Sequence, residues 1–94
     1  MQHTWTPALF TQSGSTFTAT LGPLAFGSVF LADSSSAKKF QAKDDNNAGV
    51  TQTGGDASLT AGSVDYITGK VTLTFAAGAQ PDAAANIQVW YKNQ

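Results

Sequence analysis

Between Ser63 and Phe75 the chain alternates apolar and polar residues on both sides of a Thr68-Gly69 step. Val64 and Tyr66 share one face before the step. After it, Val71, Leu73 and Phe75 alternate with Lys70, Thr72 and Thr74. A period of two is the period of a strand, and a helix cannot gather these residues on one side. Gly69 suits the positive φ of a tight hairpin turn. The segment therefore predicts a β-hairpin, the clearest element in the chain.

The same reading finds further short strands. Ser15 to Leu21 puts Phe17, Ala19 and Leu21 on one face and Thr16, Thr18 and Thr20 on the other. Gly22-Pro23 ends it. Ser28 to Ala32 (SVFLA) is a nearly continuous apolar run, which predicts a strand buried on both faces. Asp33 to Ser36 reads as a loop and Lys38 to Lys43 as a weaker strand carrying Phe40 and Ala42. Asp44 to Gly49 (DDNNAG) is a polar turn, Val50 to Thr53 a short edge strand, and Gly54-Gly55-Asp56 another turn. Ala76 to Ala85 is mainly loop, with room for one helical turn at Asp82 to Ala85. Asn86 to Asn93 closes the chain with Ile87, Val89 and Tyr91 on one face. Six or seven short strands at this spacing predict an all-β fold, a small antiparallel β-sandwich or barrel. The two hairpin strands and the last strand are expected to share a sheet. Residues 1–13 form an N-terminal arm or first strand, and residues 14–94 a single β-sandwich domain.

Composition supports strands and narrows function. The 94 residues include 12 Thr and 9 Gly but no Glu, Arg or Cys. Charged residues are 12% of the chain, and the first is Asp33, so residues 1–32 carry only His3. A net charge of −1 without arginine is a poor basis for neutralising phosphates, so no nucleic-acid partner is expected. Absence of cysteine removes disulfides and thiolate metal sites. Fifteen of the apolar residues are Ala, which leaves a modest core. A small core without staples points to association, so a homo-oligomer or docking on a larger body is expected. No signal peptide or membrane span is recognisable.

No constellation for catalysis emerges, and no enzyme activity or cofactor is expected. DDNNAG matches the calcium-loop pattern at Asn46 and Gly49 but fails at Ala48 and Gly55, so a polar turn is the better account and no metal is assigned. Ser34 to Ser36 beside Asp33 lack a base to activate a hydroxyl. Asp44 and Asp45 point apart on an extended chain. The aromatic residues are more informative. Trp90 opposes the Ile87/Val89/Tyr91 face, so either its strand is buried on both sides or Trp90 is an interface anchor. Trp5 and Phe10 lie in an uncharged stretch around Pro7 and are further interface candidates.

Gly62 to Phe75 (GSVDYITGKVTLTF) resembles a module of tailed-bacteriophage virion proteins that reads G-[ST]-[IV]-D-Y-x-T-G-x-[IV]-x-L-x-F. That module continues through a proline-containing loop, here with Pro81, to a strand of the form I-x-[AV]-x-Y, here Ile87, Val89 and Tyr91. Pro23 to Val29 and Phe40 to Gly49 are similar to its upstream segments, although the second turn is longer here. The resemblance spans about residues 23–91. It implies a non-enzymatic virion structural protein. A chain that starts at Met1 and ends soon after the module favours a head-decoration (cement) protein on the capsid exterior, made in the host cytoplasm. It would bridge major capsid protein subunits, with no membrane involved. The alternatives are a tail or baseplate module and, from another class, a carbohydrate- or receptor-binding β-sandwich.

Overall fold

The computed structural model describes residues 6–7, 10–34, 36–83 and 86–94. Among them are nine strands and no α-helix: β1 (Thr6–Pro7), β2 (Thr11–Ser13), β3 (Thr16–Thr20), β4 (Phe30–Asp33), β5 (Phe40–Asp44), β6 (Val50–Gly55), β7 (Leu59–Asp65), β8 (Lys70–Phe75) and β9 (Gln88–Trp90). Two antiparallel sheets result. One has the order β1-β9-β4-β5-β6 and the other β2-β3-β8-β7. The all-β sandwich expected from alternation is the fold that forms, and neither sheet closes into a barrel. The strands beyond seven are β1 and β2, too short to leave a periodic signature.

Alternation decides which side chains meet between the sheets. Phe17 and Ala19 of β3, Val64 of β7, and Val71, Leu73 and Phe75 of β8 are buried on one side. Leu31, Phe40, Ala42 and Val89 are buried on the other. The layers lock through rings: Phe75 meets Phe40 of the opposite sheet at 4.9 Å and Phe17 at 5.6 Å, both edge to face. Such pairs add about 0.5–1.5 kcal/mol beyond their buried area. Leu24, Val29 and Ile87, which lie outside the strands, complete the same core. The outer face of the smaller sheet is a threonine grid, with Thr16 opposite Thr74 and Thr18 opposite Thr72. That grid uses much of the threonine content without requiring any charge.

The sandwich is also closed along one side. The β6 and β7 ends meet through a Gly49–Ser63 bridge and a hydrogen bond from Val64 N–H to the Ala48 carbonyl at 3.0 Å. On the other side the N-terminal chain pairs first with β9 and then, as β2, with β3.

Four expectations need correction. The last strand does not join the hairpin sheet; β9 lies between β1 and β4 in the larger one. One-sided alternation fits either sheet, so the pattern could not choose. SVFLA is not buried on both faces: the strand begins at Phe30, and Phe30 is 38% exposed. Gly54 and Gly55 are not a turn but the end of β6, which continues pairing past a bulge opposite Gln41 and Ala42. A Cβ on Gly55 would lie 2.2 Å from the Lys39 carbonyl oxygen, so the close approach requires glycine. Asp33 is not a loop residue but the buried end of β4.

Candidate interaction surface

At one end of the sandwich the β3–β4 loop, the β5–β6 turn and the β7–β8 turn converge on the carboxylate of Asp44. The side chain is 5% exposed. Its Oδ2 accepts from Gly27 N–H at 2.8 Å, and its Oδ1 accepts from Asn46 N–H at 2.9 Å and from the Tyr66 hydroxyl. The same hydroxyl accepts from Ala48 N–H at 3.1 Å. Burial, together with the hydrogen bond to Asp44 and the negative charge of Asp44 and Asp45, raises the Tyr66 pKa above its ordinary value. Next along the turn, Asp45 Oδ1 accepts from Asn47 N–H and Gly49 N–H. The polar turn thus spends its carboxylates on backbone donors, as aspartates in turns do. Among the described residues no group of three or more His, Cys, Asp or Glu could hold a metal ion.

Phe26 stacks on the Tyr66 ring, with centroids 4.3 Å apart and planes 29° apart. It nevertheless remains 68% exposed. Ile67, in the adjacent β7–β8 turn, is 80% exposed and lines the same hollow as Phe26, Tyr66 and Gln94. A second hollow joins Phe26 to Phe30. Phe30 in turn packs edge to face against Trp90 of β9 at 5.4 Å. Exposed apolar side chains thus form two groups, Ile67 with Phe26 and Phe30 with Trp90, and Lys43, Asp45 and Asn46 line the hollow between them. Isolated exposed apolar residues are normal, whereas grouped ones mark a contact surface.

The anticipated interface residues separate. Trp90 is half-buried on the outer face of the larger sheet and pairs with Phe30 in the second group. Phe10 is 8% exposed and packs into the core. Trp5 lies outside the described residues. Sequence reasoning missed Phe26 and Ile67. Ile67 did leave a signal, an apolar residue in a turn where polar ones are usual. Phe26 had a weaker one, a bulky ring directly before Gly27, whose φ is +72°.

The serine cluster is structural where it is described. Ser36 is buried, donates to Asp33 Oδ2 and accepts from Asp82 N–H at 2.8 Å and Asn86 Nδ2 at 3.2 Å. It ties the end of β4 to the loop before β9. Ser35, Ala84 and Ala85 lie outside the described residues, and with them half of the helical turn expected at residues 82–85.

No family model, curated protein or solved structure matches this chain.

Proposed function

We propose that the chain is a non-enzymatic structural protein of a tailed-phage virion, a head-decoration protein that bridges major capsid subunits on the capsid exterior. The observation that carries the reading is Phe26. An aromatic side chain that is 68% exposed would ordinarily be mobile, but this one is braced by Tyr66, which Asp44 holds in turn. A ring fixed before contact loses little entropy on binding, which is what an interface anchor needs. Ile67 extends the apolar end beside it. Repetition of such a contact over a shell adds avidity, so each contact can be weak. The hairpin motif from Gly62 to Phe75 and the sandwich around it support the same reading. Co-sedimentation with expanded empty capsids of the encoding phage tests it. The chain should pellet to saturation; recovery in the supernatant at every ratio would contradict the proposal.

A further inference from the structure

The outer face of the larger sheet has its own chemistry, distinct from the Phe26 end. Strands β9, β4 and β5 present two parallel rows there. Register places Trp90, Phe30 and Lys43 side by side in one row, and Gln88, Ala32 and Gln41 in the next. Gln88 and Gln41 thus stand two strands apart, about 10 Å, on either side of the small Ala32. A shallow hollow opens over Ala32, walled by Phe30, Gln41 and Thr53. Thr53 is the extra residue of the β6 bulge, freed from the ladder and turned to this side. The aspartates of these three strands, Asp33 and Asp44, are buried, so no carboxylate from them stands on the face.

The glutamines show that the face is unusual. Elsewhere each described glutamine uses its amide internally. Gln12 donates to the Gly14 carbonyl, Gln52 bonds Gly54, Ala57 and Leu59, Gln80 accepts from Gly78 N–H, and Gln94 donates to the Leu24 carbonyl. Only the side-chain amides of Gln41 and Gln88, both exposed, make no hydrogen bond to another described residue. Gln41 lines the hollow with its Oε1 over Gly54 of β6, while Gln88 and Trp90 stand beyond Ala32 and Phe30 on the same face. Each amide offers both donors and an acceptor.

We propose that this face binds a neutral saccharide. A pyranose ring has an apolar C–H face and a rim of hydroxyls that donate and accept. The Phe30–Trp90 pair matches the first, and Gln41, Gln88 and the Thr53 hydroxyl match the second. An apolar protein partner would leave both amides buried and unpaired, at a cost.

The test uses the full chain carrying Trp5→Phe, so that Trp90 is the only fluorophore of its kind. Maltotriose, mannotriose and triacetylchitotriose are titrated separately into the millimolar range. The expected result is a saturable change in Trp90 fluorescence with at least one of them. Gln41→Ala and Gln88→Ala should each weaken it roughly fivefold, the worth of one neutral hydrogen bond. Both variants should melt with the parent protein, because neither amide supports the fold. Three outcomes would overturn the proposal: no saturable change with any probe, binding undiminished in both amide variants, or a dimer by sedimentation that Trp90→Ala dissociates. The assay contains no capsid, so its failure leaves the decoration reading intact, and the reverse holds too.

Discussion

Asp44 at the end of one sheet and Tyr66 in a turn of the other are joined by a hydrogen bond that closes one end of the sandwich. Asp44 ends β5, and Tyr66 follows β7 directly. Because the Tyr66 ring also supports Phe26, this bond connects folding to the exposed surface. Tyr66→Phe keeps the stacked ring but removes the hydroxyl from Asp44 and from Ala48 N–H. We expect it to lower unfolding free energy by about 1–2 kcal/mol in urea denaturation at neutral pH.

The same pair predicts a response to alkali. The Tyr66 pKa is raised in the folded chain, so above its ordinary value of 10.0 the unfolded state loses this proton first. The folded state then holds more protons, and stability falls as pH rises. The contribution is fully present below pH 10.0 and is lost as pH climbs through the folded value. Comparing wild type with Tyr66→Phe by denaturation from pH 8 to 11 isolates the effect from other alkaline titrations. The gap between the two proteins should narrow at the alkaline end, and a gap that stays constant would refute the coupling.

Gly69 illustrates how much of a turn the sequence records. Its positive φ is legible from the Thr68-Gly69 step, and the observed value is +79°. Its crowding is not, because the neighbour is Gly22 in a distant loop. A Cβ on Gly69 would lie 1.9 Å from the Gly22 carbonyl oxygen. Gly69→Ala therefore combines backbone strain with a backbone clash, and we expect a loss of about 2–4 kcal/mol in thermal or urea unfolding.

Ala48 predicts the opposite sign. It holds φ at +62°, a region that favours glycine over alanine, while its N–H and carbonyl bond Tyr66 and Val64. Ala48→Gly relieves the strain at some cost in chain entropy. The expected net gain is about 0.5–1 kcal/mol, and Ala48→Val should be destabilising. Urea midpoints of the three proteins check the order.

Period-two alternation carries most of what can be read here. It places Phe17, Ala19, Val71, Leu73, Phe75, Ile87 and Val89 inward, and each is buried. It also sets Trp90 on the face opposite Val89. It carries no information about partner strands, which is why β9 falls in the larger sheet against expectation. Nor can it separate a strand buried on both faces from one whose outer apolar residue, Phe30, leans on a neighbouring ring. Gln41 and Gln88 stand far apart in sequence and reach one face only through two register steps across β4. Phe26 gains its meaning from Tyr66, a contact made by loops. Strand faces are local properties, while loops and sheet order are settled by long-range packing.

The most direct test of the decoration account is a binding titration on expanded empty capsids with wild type and a Phe26→Ser, Ile67→Ser double variant. Both side chains are largely exposed, so the variant should keep its urea midpoint near that of wild type. The account predicts saturable wild-type occupancy and at least about tenfold weaker binding by the variant, as expected when anchor residues are lost. Equal occupancy by the two proteins, or no wild-type binding at all, would contradict it.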